Sequence, residues 1–369
     1  MKKILFVTMH NVPNYGSFLQ TYATQEIIKK IGMEAEILDY VPYVRSERFF
    51  LFNHLGRKKS FLKECITTLF YFPTKVRLWR IFQKEQRKYY NMTRKYKSSE
   101  DLERHIPYAD IYMTGSDQVW SSVTNLGYDG VYFLDFVGHD NKKIAFSASI
   151  GLEKLGKDYQ KEIQTSIMQY DAVSVREDSA VELLENIGIK NVKHILDPTQ
   201  ILTVKEWDNY IQTSRINITE EPYVLIYLLG RDNYAINCAE KIAKTIGAKI
   251  YKISWDGIYN KKIDRYYKFV RPADMLKLIK NAQFVVTNSF HGTALSIEFG
   301  KQFYTVAKEI NPRFDSILRL YGLEDRFINE KEDRLDYMDV KKIDYERVNK
   351  IKNHMRSETY DFLLKSVEK

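Results

Sequence analysis

The amino-acid sequence predicts an α/β protein built as two Rossmann-like domains facing a cleft, with a basic, aromatic-rich helical insertion in the first. Three observations point there. The chain has 369 residues, more than one ordinary core takes, so two domains are expected. Short apolar β-rich runs alternate with amphipathic helical stretches, the pattern of parallel, doubly wound sheets. The alternation comes in two series, separated at 212–221 by a polar stretch without periodicity.

The first series opens with the apolar run 3–9, a loop at 10–16 and a helix over 17–31. In that helix Leu19, Ala23, Ile27 and Ile28 share one face, and Gly32 stops it. Residues 34–40 return as a strand, which completes a βαβ unit and implies a parallel sheet. Beyond the insertion, placed at about 42–104, strands are expected at 110–114, 143–149, 171–175 and 192–196. Helices are expected at 158–169 and 178–186. These make a first domain, 1–211. The second, 222–344, reads as strand 223–229, helix 234–246, strand 249–253, helix 273–280, strand 284–287, a helix from Gly292 and strand 302–306. A last helix in 345–369 packs back on the first domain. Two such halves with a linker define a GT-B-like architecture. Ligands of these sheets sit outside the carboxyl ends of the strands.

Composition narrows the function classes. Hydrophobic residues make up 44% and charged ones 28%, which excludes a disordered chain. The net charge of +9 is concentrated. Between Arg45 and Lys97 there are 15 Lys or Arg against three acids, a local +12 that leaves −3 for the remaining chain. This segment holds the aromatic runs 49–52 and 69–72, flanked by the cations of 57–59 and 75–80. Exposed aromatics beside cations suit an anionic membrane surface; a helical cap over the cleft, with the aromatics buried, is the other reading. Nucleic acid is disfavoured, because the remaining chain is net acidic. Cys65 and Cys238 make neither a disulfide scaffold nor a zinc spacing. The apolar run after Met1 is too short for a signal peptide and lacks a small-residue cleavage site. No uncharged stretch approaches the roughly 20 residues of a spanning helix. A cytoplasmic protein is expected, with peripheral contact at the inner face of the membrane left open. No D-x-D, P-loop, H-E-x-x-H or G-x-S-x-G is present, and no metal site is expected.

Four strand ends carry polar residues. In Asn14-Tyr-Gly16-Ser17-Phe-Leu-Gln20, Gly and Ser at a helix start offer backbone N–H groups to an anion or hydroxyl; a turn with Ser17 as N-cap is the alternative. In Gly115-Ser-Asp117-Gln118-Val-Trp120, a carboxylate, an amide and an indole suit a sugar or a base, or else form an Asp-stabilised turn above a core Trp. Arg176, in Ser174-Val-Arg-Glu-Asp178, ends a buried strand. It suits a phosphate or carboxylate clamp, or a local ion pair with Glu177 or Asp178. Asp197, which ends the next strand, is mainly structural. In Asn288-Ser289-Phe-His291-Gly292-Thr293, a His stands where strand becomes helix. The macrodipole there favours an anion and disfavours protonated His, which suits a neutral base or donor. Arg231 ends the first strand of the second half and Arg313 stands at the start of another helix; both could supply cations, or simply be solvated.

Taken together and in this order, these motifs resemble the polysaccharide pyruvyl transferase family. The match rests on 14–23, 115–120, 174–179, 196–199 and 288–293. The resemblance implies a GT-B-like fold and transfer of pyruvate from phosphoenolpyruvate to a sugar, usually as a ketal. It departs at Ser289, where many characterised members have Arg two positions before the His. Arg176, Arg231 or Arg313 would replace that cation at the donor, with Ser289, Gly292 and Thr293 around it. His291 and Asp117 are expected as the acid/base pair. Asn14, Gly16, Ser17, Gln20, Gln118 and Trp120 would hold the acceptor, a sugar or lipid-linked saccharide. No cofactor is expected beyond phosphoenolpyruvate as donor substrate. A metal-independent glycosyltransferase using a nucleotide sugar is the alternative.

Overall fold

The apolar runs become strands and the amphipathic stretches helices across the residues that the computed structural model describes: 1–52, 61–218, 220–255, 259–332 and 341–368, with 61–67 as backbone only. The cations at 57–59 lie outside the described residues. The chain divides into two compact units, Met1–Pro198 with Asp361–Lys369, and Thr199–Tyr360.

Unit 1 opens with β1 (Lys3–Val7), α1 (Tyr15–Lys30) and β2 (Glu34–Ile37). The insertion is helical: α2 (Glu47–Phe52), α3 (Phe61–Tyr89) and the short α4 (Ser99–Glu103). Then come β3 (Ile111–Thr114), α5 (Ser122–Asn125), β4 (Lys142–Ala148), α6 (Lys157–Ile167), β5 (Ala172–Val175), α7 (Asp178–Asn186), β6 (Lys193–His194) and α8 (Pro198–Ile201), whose first residue closes this part of the unit. The six strands form one parallel sheet in the order β2-β1-β3-β4-β5-β6. Strand β2 ends sooner than expected because residues 39–40 turn to the returning chain, where Tyr40 bridges Tyr96. Strand β6 keeps two paired residues, as suits an edge.

Unit 2 holds α9 (Val204–Ile211), β7 (Tyr223–Tyr227), α10 (Asn233–Ile246), β8 (Lys249–Ser254), β9 (Arg265–Lys268), α11 (Pro272–Asn281), β10 (Phe284–Thr287), α12 (Phe290–Glu298), β11 (Gln302–Ala307), α13 (Pro312–Tyr321), β12 (Phe327–Asn329) and α14 (Tyr345–Glu368), the last reaching past Tyr360. Its parallel sheet runs β12-β11-β10-β7-β8-β9. The two strands that the sequence pattern missed, β9 and β12, are both edges. Edge strands are short and charged, so they carry little apolar signal; Arg265 and Lys268 are exposed.

The division falls ahead of the expected linker at 212–221. Helix α9 belongs to unit 2 because it is tied there: Trp207 Nε1 donates to Thr199 O at 3.1 Å, and Lys280 pairs with Asp208. Each unit has its own core. Val7, Trp120, Phe133 and Ile163 lie in the first, and Val224, Ala239, Val286 and Val306 in the second. Cys238 is buried and forms no disulfide. No described helix is long and apolar enough to cross a membrane.

Candidate active site

Each sheet reverses its direction of strand addition once. In unit 1 the reversal lies between β1 and β3, in unit 2 between β7 and β10. In sheets of this kind ligands bind at such a point, outside the carboxyl ends of the two strands.

In unit 1 side chains tie the two strand ends together. Thr8 Oγ1 donates to Ser116 O at 2.7 Å. Asn14, not Ser17, caps α1: its Oδ1 accepts from the backbone N–H of Gly16 at 2.8 Å and of Ser17 at 3.2 Å. Ser17 Oγ instead donates to Asp117 Oδ2 at 2.6 Å, across 100 residues of sequence. Asp117 has φ 75°, a left-handed conformation that Asp tolerates better than most residues. Its Oδ1 accepts from Gln118 N at 2.9 Å.

Behind Asp117 lies a buried ionic cluster. Arg176 Nε donates to Glu177 Oε1 at 2.9 Å and Nη1 to Asp197 Oδ2 at 3.1 Å, while Nη2 stands 3.8 Å from Asp117 Oδ1. Ser149 Oγ donates to Glu177 at 2.5 Å and Ser116 Oγ to Asp197 at 2.9 Å. Burial works against the Arg176 charge, but Glu177, Asp197 and Asp117 outweigh it and raise the guanidinium pKa above its ordinary value. One cation among three carboxylates leaves no surplus positive charge. Arg176 is therefore not a clamp for an anionic donor. It is an ion pair with Glu177, as the alternative reading had it, extended to Asp197.

Three further expectations in unit 1 need correction. Trp120 is fully buried, stacks on Phe133 at 5.6 Å and donates its indole N–H to Tyr132 O, so it belongs to the core and cannot face a sugar. Gln20 is equally buried, with its Nε2 within 3.1 Å of Thr8 Oγ1, Ser17 O and Thr21 Oγ1. Gly16 is buried in the first turn of α1 and its N–H is taken by the Asn14 cap. Asn14 and Gln118 remain half-exposed.

In unit 2, β10 passes into α12 through Asn288 and Ser289. Asn288 Oδ1 accepts from Leu229 N at 2.7 Å, which ties the loop after β10 to the loop after β7. Thr287 Oγ1 donates to Tyr227 O at 2.7 Å and accepts from Ser289 N at 3.1 Å. Ser289 is the N-cap, and its Oγ accepts from Gly292 N at 3.4 Å. His291 is the second residue of α12. It is 6% exposed, with the Phe290 ring edge-on at 5.2 Å. Thr293 points the other way: fully buried, its hydroxyl shares a 2.7 Å hydrogen bond with Thr305 of β11, so it is not a donor-binding group. Arg231 follows β7 and is exposed; Arg313 opens α13 after β11 and is half-buried. Strands β7 and β11 are the two neighbours of β10, so these arginines come from the strands on either side of the His291 mouth.

The structure thus gathers Ser17, Asp117 and Arg176 in unit 1, and Ser289, His291 and Gly292 in unit 2. Sequence reasoning missed Thr287, Tyr227 and Ser116. Their signal was available: each is a polar residue at or just past the carboxyl end of an apolar strand. It also missed His10, whose Nε2 lies 3.0 Å from Asp39 Oδ1 with both side chains buried. Among the described residues no three His, Cys, Asp or Glu side chains are grouped to hold a metal ion.

The fold has relatives among solved structures. Arabidopsis thaliana UGT89C1 complexed with UDP-L-rhamnose matches with a TM-score of 0.51 at 9% identity, over 100% of this chain and 98% of that one. UDP-N-acetylglucosamine 2-epimerase from Rickettsia bellii matches with a TM-score of 0.51 at 12% identity, over 100% and 97%. At such identities the likeness is one of fold, and the architecture is α/β and GT-B-like. No curated protein matches the chain by sequence. The family model for polysaccharide pyruvyl transferase matches residues 14–308, from the Asn14 cap past the His291 mouth, and the chain belongs to that family of transferases.

Proposed function

We propose that the protein transfers the pyruvyl group of phosphoenolpyruvate to two hydroxyls of a sugar, forming a ketal and releasing phosphate. The observation that carries this reading is the place of His291. It sits at the mouth of α12, at the switch point of a sheet, in a chain of this family. A helix N-terminus favours an anion, and phosphoenolpyruvate carries both a phosphate and a carboxylate. Arg231 and Arg313 are the cations assigned to the donor, since Arg176 is held by carboxylates.

In the proposed sequence the bound anionic donor offsets the helix dipole and lets His291 take a proton, which the imidazolium then gives to C3 of the enol, making C2 electrophilic. A sugar hydroxyl adds to C2 and loses its proton to a base. Phosphate leaves with the electrons of the C2–O bond. A second hydroxyl then closes on C2, and its proton passes to the departing phosphate or to solvent. Asp117, which accepts from Ser17, is the candidate base; Asn14 and Gln118 are the half-exposed groups assigned to acceptor hydroxyls. We assign the acceptor to a saccharide carried on lipid.

The test is phosphate release on incubation with phosphoenolpyruvate and candidate sugars. The His291→Ala protein is expected to lose about 10²–10⁴-fold in rate with an unchanged melting temperature. Full activity in that variant would remove His291 from the chemistry. A melting shift with UDP and none with phosphoenolpyruvate would favour glycosyl transfer from a nucleotide sugar instead.

A further inference from the structure

The insertion of unit 1 carries a surface that the reaction does not use. Helix α3 is anchored by one face. Leu78, Trp79 and Phe82 are buried, and Phe82 packs against Tyr15 at 5.1 Å. Gln86 Nε2 donates to His10 O, and Gln83 Nε2 to Asn11 Oδ1, both at 2.8 Å. Among the described residues, the charged groups Lys75 and Glu85 on this inner side are themselves buried, and Lys75 Nζ donates to Phe50 O.

The opposite face is different in kind. Arg77, Arg80, Lys84, Arg87 and Lys88 are all exposed, and among the described side chains of α3 no acid joins them. At about 100° per residue these five fall within one arc of about 100°. Leu69 and Phe70, in the same arc toward the start of the helix, are 77% and 72% exposed. Pro73 lies between the two groups on this face, where its missing N–H leaves the bond of one carbonyl unmade on the solvent side. From Leu69 to Lys88 the stripe is about 29 Å long at 1.5 Å per residue. It has an apolar end and a cationic body.

We propose that this face of α3 docks on an anionic lipid surface, with Leu69 and Phe70 entering the interface and the five cations meeting the headgroups. The chemistry is that of an interfacial helix, which combines apolar insertion with attraction to anionic lipid. A nucleic-acid groove would interleave aromatics with the cations as stacking platforms. Here the exposed apolar pair stands apart at one end. The proposal deepens the lipid-carrier part of the reading above. Vesicle binding is measured without turnover, so the two can fail separately.

The experiment is co-sedimentation of the full chain with vesicles of phosphatidylcholine alone, or of phosphatidylcholine mixed with phosphatidylglycerol. Binding is expected only to the mixed vesicles, and is expected to weaken with salt. Each exposed cation at such a surface multiplies partitioning about fivefold, so Arg80→Glu with Lys84→Glu and Arg87→Glu should lower it by at least about a hundredfold. Leu69→Ser with Phe70→Ser should lower it about tenfold or more and leave the residue more salt-sensitive. Unchanged melting temperatures would show that both variants fold. Equal binding to the two vesicle types, no binding to either, or full binding by the charge-reversed protein would overturn the proposal. So would binding to a single-stranded oligonucleotide with none to vesicles.

Discussion

A Cβ at position 292 would stand 2.3 Å from Thr287 Oγ1 and 3.0 Å from Tyr227 Cδ1. Thr287 cannot give way easily, because its hydroxyl holds both Tyr227 O and Ser289 N. Gly292 is thus what lets α12 start this close to β7 and β10. Gly292→Ala is expected to cost about 1–3 kcal/mol by overpacking, partly offset by up to about 1 kcal/mol of helix propensity. A urea midpoint equal to or above that of the unmodified protein would sink the argument. At this scale the sequence was legible where the signal was local. Asn288 to Thr293 read as a strand-to-helix mouth because all six residues act within one turn. Arg176 did not read correctly, because Asp117 and Asp197 reach it from other strand ends and only the folded sheet brings them together. Trp120 failed for the same reason: its neighbours Phe133 and Tyr132 follow a turn that carries no apolar period.

Elements show the same division between local and tertiary control. Helix α7 (Asp178–Asn186) and strand β10 (Phe284–Thr287) fall where the pattern put them, since the first keeps its 3.6 period and the second is a short apolar run buried at every position. Helix α9 lay next to the stretch read as a linker, yet that stretch is fastened to α11. Asp274, in the first turn of α11, accepts from the backbone N–H of Arg271 and Arg215 at 2.9 Å each, and from Ser214 Oγ at 2.8 Å. Arg271 Nη2 also reaches Thr213 O at 2.8 Å. Burial works to raise the Asp274 pKa, but these hydrogen bonds outweigh it and hold the carboxyl below its ordinary value. A depressed folded pKa gives stability that is present above the unfolded value, about 3.9, and is lost as pH falls through the folded one. Asp274→Asn is therefore expected to cost about 1–3 kcal/mol at neutral pH, with the difference from the unmodified protein shrinking below about pH 4. Melting temperatures of both proteins across that range decide it. A gap that stays constant into strong acid would show that the charge of Asp274 is not what fastens the segment.

For the whole molecule, the two buried cores have distinct memberships, and each unit carries its own ionic fastening. Arg176 serves unit 1, at the carboxyl ends of β3, β4 and β5; Asp274 serves unit 2. Two-domain organisation was legible because two series of alternating runs repeat along the chain, while the position of the division depended on side chains such as Trp207 and Asp208. The sharpest consequence concerns Arg176→Met. Methionine fills similar space but leaves Glu177 and Asp197 buried without their cation. Removing one partner of a buried ion pair costs about 3–5 kcal/mol, far more than losing an exposed pair. That loss should be local. Hydrogen exchange is expected to quicken at the amides of β3, β4 and β5, which surround the cluster, while those of β7 and β10 keep their rates. The Asp274→Asn protein should show the converse, with faster exchange around α11 and none gained in β3 to β5. If either substitution quickened both sheets alike, the two units would not be separate in stability, and the ionic cluster behind Asp117 would be supporting more of the protein than its own strand ends.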